Sequence, residues 1–204
     1  ENLRNISISL GMSPAVLFHA AFGLVVGRCS NTDYAVFGSL LLGRLQGSLG
    51  AADSLGLFIN TLPFLTELKG TVSEYVAEVK KALTEILAYE QTPLSDVHSW
   101  SGISNELPIF SALMNYRHSI SEEEEEEMSE GLLQDDETID LGLAVTMVNE
   151  RTNYPISLDI DDFGKEFELT AQIDGDINPE QFLGYIEEAL YQLVAALKEE
   201  GNIT

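Results

Sequence analysis

The scarcities of this 204-residue chain exclude several chemistries before any motif is read. It has one cysteine, Cys29, so no internal disulfide can close and no multi-cysteine metal site can form. That usage fits a reducing, cytoplasmic setting. Positive charge is also short, with 10 Lys and Arg against 34 Asp and Glu and a formal net charge of −24. A chain so anionic is repelled by nucleic-acid phosphates and by anionic membrane surfaces. No uninterrupted apolar run approaches the ~20 residues that span a bilayer, and Glu1-Asn2-Leu3-Arg4-Asn5 lacks the basic and apolar regions of a secretory signal. The glycines from Gly47 to Gly50 are not followed by Lys-Ser/Thr, which excludes a phosphate loop of the nucleotide-binding kind. The three histidines, His19, His98 and His118, are never adjacent, and none has a partner at the spacing that general-base or nucleophilic catalysis requires. Asp159-x-Asp161-Asp162 lacks the glycine and bidentate Glu of a calcium loop and reads as a solvated strand face. No metal site and no catalytic residue are assigned.

What is present describes an ordinary core. The chain is 45% hydrophobic and 8% aromatic, long enough for one domain over residues 1–204. Ile6-Ser7-Ile8-Ser9-Leu10 alternates like a strand without a preceding partner, as if the chain began inside something larger. Ser13-Pro14 starts a helix, with Ser as N-cap and Pro at the first helical position. The helix over Pro14–Arg28 is apolar on nearly every face, which predicts burial of the whole element, with His19 as a hydrogen-bonded packing residue. Tyr34–Leu42 and Leu57–Leu65 read as strands. Thr71 and Glu74 form a capping box for a helix reaching to about Tyr89, before Pro93. Ile109–Arg117, Ile139–Met147, Ile156–Ile160 and Phe167–Ile173 read as further strands, the last two joined as a hairpin by Asp162-Phe163-Gly164-Lys165. Asn178-Pro179 opens a final helix with one apolar stripe from Phe182 to Leu197, and Gly201 stops it. Negative charge concentrates late: residues 1–120 carry −3 and residues 121–204 carry −21. The acidic run at about 121–137 is expected to form a flexible surface loop, because such closely spaced like charges repel and cannot bury. The expected fold is an α/β two-layer sandwich, a mixed, mostly antiparallel sheet with helices on one side.

Three segments carry a family signature in order: Thr32–Phe64, TDYAVFGSLLLGRLQGSLGAADSLGLFINTLPF; Tyr89-Glu90-Gln91-Thr92-Pro93-Leu94 with Trp100-Ser101-Gly102; and Leu107–Leu113 running into Asn115-Tyr116-Arg117-His118-Ser119. They resemble the second half of the condensation domain of nonribosomal peptide synthetases. The resemblance implies a chloramphenicol-acetyltransferase-like half-domain, one of two that face each other across a tunnel. It also implies the reaction, amide formation between carrier-bound aminoacyl or peptidyl thioesters. The family's HHxxxDG motif belongs to the first half and has no counterpart here, so this chain alone is expected to be inactive. Tyr89-Glu90-Gln91 departs from the commoner His-Gln-Asp of the family, which bears on substrate preference.

By that resemblance the tunnel and acceptor-side contacts fall on Asn60, Gly38, Ser39 and Arg44. An amide at Asn60 would hydrogen-bond a substrate carbonyl or amine; the alternative is a strand-end amide satisfying the backbone. Arg44 is also open to a structural role, pairing with a carboxylate. The implied partners are the N-terminal half of the condensation domain and peptidyl carrier and adenylation domains, with no cofactor bound directly and 4'-phosphopantetheine presented by the carriers. Two other readings stay open, a related acyltransferase and a noncatalytic protein-interaction module of the same fold. An HHxxxDG upstream of Glu1 would decide for the enzyme.

Overall fold

The computed structural model describes residues 2–42, 58–104, 106–118, 152–175 and 177–201. Arg44, the acidic run at 121–137 and the strand expected at Ile139–Met147 lie outside them. The described elements are α1 (Asn2–Ser9), α2 (Pro14–Cys29), β1 (Tyr34–Leu41), β2 (Asn60–Glu67), α3 (Val72–Leu87), α4 (Leu94–Ser101), β3 (Ala112–His118), β4 (Ile156–Asp162), β5 (Phe167–Ile173) and α5 (Pro179–Gly201). The strands form one sheet in the order β2-β1-β3-β4-β5. β1 pairs antiparallel with β2 and β4 with β5, while β1 with β3 and β3 with β4 are parallel. The sheet is therefore mixed, with two antiparallel and two parallel pairings among the described strands. Parallel neighbours need a crossover, and the route from β1 to β3 supplies one through β2, α3 and α4.

One face of the sheet carries the core. Ala35, Phe37, Phe64, Ala112, Met114, Leu158 and Ile160 are buried against helical residues that include Leu17, Phe18, Phe22, Val76, Val79, Ile186 and Leu190. Leu83 is half-buried at the same cluster. Phe22 meets Phe37 edge-on with ring centroids 4.8 Å apart. Each such ring removed from water contributes about 1.5–3 kcal/mol, so the aromatic centre outweighs any single surface contact. The end signals hold as read. Ser13 Oγ accepts from Ala15 N, and Thr71 and Glu74 make the reciprocal capping box. The Asn178 side chain accepts from the Glu180 and Gln181 amides, and the β4–β5 turn places Gly164 at φ 80°, where a Cβ would be strained.

Two elements differ from the sequence reading. Residues 6–10 belong to a helix and its end, not a strand: Leu3, Ile6 and Leu10 recur at helical spacing and face the core, while Ile8 is 70% exposed. Residues 94–101 form a helix where the sequence reading has no element, closed by Gly102 in the left-handed conformation at φ 72°. No single described helix is long and apolar enough to cross a membrane; α1 and α2 reach that length together but meet at 112°.

Helix α1 is fastened to the sheet by charge. The Asp162 carboxylate is fully buried at the end of β4. It accepts from Arg4 Nη2 through one oxygen, from Tyr116 Oη at 2.5 Å through the other, and from Gly164 N at 2.9 Å. The Arg4 guanidinium also lies 4.8 Å from the centre of the Phe167 ring, a cation–π contact. Burial alone pushes the Asp162 carboxyl upward, but the hydrogen bonds from Tyr116, Arg4 and Gly164 outweigh it and hold the group below its ordinary value. The solvated strand face expected for these acids is thereby corrected: Asp162 is in the interior, and Asp159 is buried as well. Each enters the interior because a donor meets it there.

A carboxyl whose folded pKa is depressed stabilises the fold above its unfolded value, and that stability is lost as pH falls through the folded value. Arg4→Met should therefore cost about 3 kcal/mol at neutral pH, since it leaves a buried carboxylate short of a partner. Its stability should depend less steeply on pH below about 4 than that of the unaltered chain. Urea unfolding across that range measures both; a variant that loses under ~0.5 kcal/mol would contradict the role of the pair.

Candidate functional site

Of the four residues singled out by resemblance, Arg44 lies outside the described residues, and Asn60, Gly38 and Ser39 are not brought together on one surface. Asn60 opens β2, opposite Leu41 at the end of β1. Its side-chain nitrogen donates to the carbonyls of Glu90 at 2.9 Å and Thr92 at 2.7 Å, and its oxygen accepts from Thr61 N at 2.9 Å. Both amide donors are thereby used. Asn60 ties the start of β2 to the turn between α3 and α4, thirty residues away in sequence, and the Glu90 side chain is buried beside it at 1% exposed. The structure places this amide as a backbone strut, the alternative that the sequence left open.

Ser39 and Gly38 are neighbours on β1 and so point to opposite faces of the sheet. Ser39 faces the helices. Its hydroxyl lies 2.9 Å from His19 Nε2, and His19 Nδ1 lies 2.7 Å from the Ala15 carbonyl. A carbonyl only accepts, so Nδ1 carries the proton and Nε2 accepts from the serine. Serine, imidazole and an orienting acceptor in line are also the parts of a nucleophilic relay. Here Ser39 is 1% exposed and His19 3%, with the ring set against Phe64 at 5.1 Å. No substrate carbonyl can reach that hydroxyl, and the pair is a packing device. Burial dominates the imidazole and lowers its pKa to about 4, against a smaller upward pull from the Ala15 carbonyl.

Gly38 faces away from the helices. A Cβ there would lie 2.8 Å from Phe110 Cζ and 2.9 Å from Thr61 Cγ2. The space that glycine leaves is filled by the Phe110 ring, which stacks on Tyr154 at 5.1 Å. This face also holds polar residues that the sequence reading does not select. Asn115 donates to Asp159 at 2.9 Å, and Arg117 grips Asp161 through Nε and Nη2. Ser157 Oγ is buried there without a hydrogen-bond partner. The signal for this ladder lies in the matched two-residue spacings of Asn115-x-Arg117 and Asp159-x-Asp161, which coincide only once β3 and β4 are set in register.

The remaining histidines are committed or displaced. His98 Nε2 donates to the Leu107 carbonyl at 2.9 Å, holding α4 to the segment after it. His118 Nδ1 is 3.5 Å from Asp162, too far for a firm hydrogen bond, and that carboxylate already has three donors. Among the described residues no group of three or more His, Cys, Asp or Glu is placed to hold a metal ion. The arrangement can therefore position and pack; the buried imidazole nitrogen without a hydrogen-bond partner among the described residues is Nδ1 of His98, whose ring is held through Nε2.

A five-stranded mixed sheet with helices on one face is the chloramphenicol-acetyltransferase-like architecture, shared with the condensation domain of a monacolin K polyketide synthase (TM-score 0.68, 16% identity, 95% of this chain and 43% of that one). A four-domain nonribosomal peptide synthetase bound to AMP and glycine also matches, with TM-score 0.71 and 15% identity over 95% of this chain and 16% of that one. Sequence then makes the assignment: the Condensation domain family matches residues 1–200, and the chain belongs to it. It is 35% identical over 205 residues to malpinin synthetase of Mortierella alpina, covering 100% of this chain and 2% of that protein. To malpibaldin synthetase of the same organism it is 35% identical over 201 residues, covering 97% of this chain and 4% of that protein. The chain thus spans a small fraction of the curated relatives it matches.

Two outcomes follow from these geometries. An imidazole held neutral by burial stabilises the fold fully above its unfolded value near 6.5, and that contribution is lost as pH falls towards about 4. Unfolding free energy should drop by roughly 3 kcal/mol across that window, and His19→Gln should flatten the curve there. Asn60→Ala should destabilise the chain by about 1–3 kcal/mol, because two backbone carbonyls lose their donor. Denaturant titration reads it, and an unchanged midpoint would remove the strut.

Proposed function

We propose that this chain is the C-terminal half of a condensation domain, lending one wall and the acceptor-side contacts to amide formation in nonribosomal peptide synthesis. The observation that carries the reading is coverage. Nearly the whole chain, 95–97% of it, corresponds to 42–45% of solved single condensation and epimerization domains. A chain that uses all of itself to match less than half of a domain supplies one half. The histidine content agrees, since no HHxxxDG occurs in the sequence.

In the reaction, the acceptor amine on one carrier's phosphopantetheine arm attacks the donor thioester on another; a C–N bond forms, the C–S bond breaks and the thiol leaves. The half described would shape the tunnel and hold reactants in line, an effect of positioning rather than of proton transfer. Phosphopantetheine comes with the carriers as substrate, and the other half of the domain brings the histidine motif. Of the four residues assigned to the acceptor side, Asn60 would act through the turn it holds, and Gly38 through the ring it admits. Ser39 lies in the core, and Arg44 keeps its assignment by resemblance alone.

The purified chain mixed with loaded donor and acceptor carriers should give no dipeptide above background, and the same chain joined to a half bearing HHxxxDG should give product. Product from the chain alone would return catalysis to its own residues, His118 first. No product from the joined protein would favour the noncatalytic module.

A further inference from the structure

A groove lies away from the site above, at the opposite end of β2 from Asn60. It is an open groove of about 640 Å³ between helix α3 and the edge of β2 that has no neighbouring strand among the described residues, lined by Leu65, Glu67, Lys69, Glu74, Ala77 and Glu78 among others. That volume falls within the roughly 300–1,000 Å³ of ligand pockets. One wall is a strand edge.

Register fixes which backbone groups line that wall. Leu68 N donates to Asp33 O at 2.8 Å, which makes positions 60, 62, 64 and 66 the hydrogen-bonded partners of β1 and turns positions 61, 63, 65 and 67 outward. Thr61 N is taken by the Asn60 side chain, Pro63 has no N–H, and the Glu67 carbonyl accepts from Lys69 N. Leu65 is left with both its N–H and its C=O turned outward, and Glu67 with its N–H. The Pro63 end of the strand is blunted, whereas the open end is the one beside the groove. Leu65 is also 59% exposed.

Charge selects the occupant. The groove carries three carboxylates, Glu67, Glu74 and Glu78, against one ammonium, Lys69, on a chain of net charge −24. A second copy of the chain would bring the same charge, so pairing of two β2 edges is opposed. We propose that the β2 edge is a docking site for an extended basic segment of a partner protein, which adds as a sixth strand beside Leu65 and Glu67. Alternate residues of the added strand enter the groove over Ala77 and Ala82, and lysine or arginine heads reach Glu74 and Glu78. Main-chain bonds supply the hold and the alternate side chains the selectivity.

The test uses the full 204-residue chain and the peptide acetyl-Lys-Val-Lys-Val-Lys-Val-Lys-amide, with its glutamate counterpart and a form N-methylated on alternate amides. The basic peptide should bind, the glutamate peptide should not, and the N-methylated form should bind at least about tenfold more weakly, although its charge is the same. Leu65→Pro, which removes one outward donor as Pro63 already does, should weaken the parent peptide by a similar factor. Hydrogen exchange should slow at the Leu65 and Glu67 amides on binding. Equal affinity for the N-methylated peptide, or protection confined to the acidic stretch 121–137, would show attraction by charge alone and overturn the proposal. Because that comparison uses the unaltered chain, it decides even if Leu65→Pro fails to fold.

Discussion

Helix α2 is enclosed by the sheet on one side and by α3 and α5 on others, and most of the described structure follows from satisfying it there. Its backbone closes its own hydrogen bonds, so enclosure is tolerable only if its side chains are apolar or individually partnered. Ten of its sixteen residues are buried, and His19 is the one strongly polar side chain among them. Ser39 is present on β1 to meet it. Close approach depends on small residues: a Cβ at Gly23 would lie 2.8 Å from Thr66 and 3.0 Å from the Tyr75 hydroxyl. That hydroxyl donates to the Ala20 carbonyl at 2.8 Å, so α3 is joined to α2 by a hydrogen bond as well as by packing.

The same rule governs the acids. Thirty-four Asp and Glu in one chain would forbid a core if they were evenly required inside, yet the described buried acids are Glu90, Asp159 and Asp162. Asp162 draws Arg4, Tyr116 and Gly164 to one point, and Asp159 receives Asn115. Scarce cations stand where a buried carboxylate needs them, at Arg4, or where an exposed sheet face needs order, at Arg117. Other acids stay near solvent, where charges are screened and contribute little to stability either way.

Much of this is legible in the sequence because periodicity and end signals agree. In α2, α3 and α5 the apolar spacing, the caps and the length all point to helix, and consistency across levels is what makes a segment readable. Residues 6–10 mislead because Ile6, Ile8 and Leu10 satisfy a period of two over five residues, too short to separate from a helical turn; Leu3 and the exposure of Ile8 settle it. Helix α4 escapes a reading by pattern because its eight residues bury no side chain fully, so it has no apolar stripe to find. The site fares worse than the fold. Asn60 reads identically as substrate contact or as strut, since the choice depends on two carbonyls at positions 90 and 92 that no local pattern reveals. The ladder on β3 and β4 depends on register, which a parallel pair separated by a long connection does not disclose in advance.

This distribution of polar groups also explains why half a condensation domain would be a positioning element. A general base needs a nitrogen or carboxylate free to take a proton near the reacting atoms. His19 is turned into the core and His98 to a carbonyl, while His118 stands beside a carboxylate already saturated by other donors. Each described imidazole is therefore either fixed in the structure or deprived of the orienting partner that a base requires. What such a half would retain is a sheet whose face away from the helices pairs Asn115 with Asp159 and Arg117 with Asp161, with Phe110 seated on Gly38. On the proposed reading, walls of that kind would lower a barrier by limiting how two reactants meet, and would do so against a second wall that carries the base.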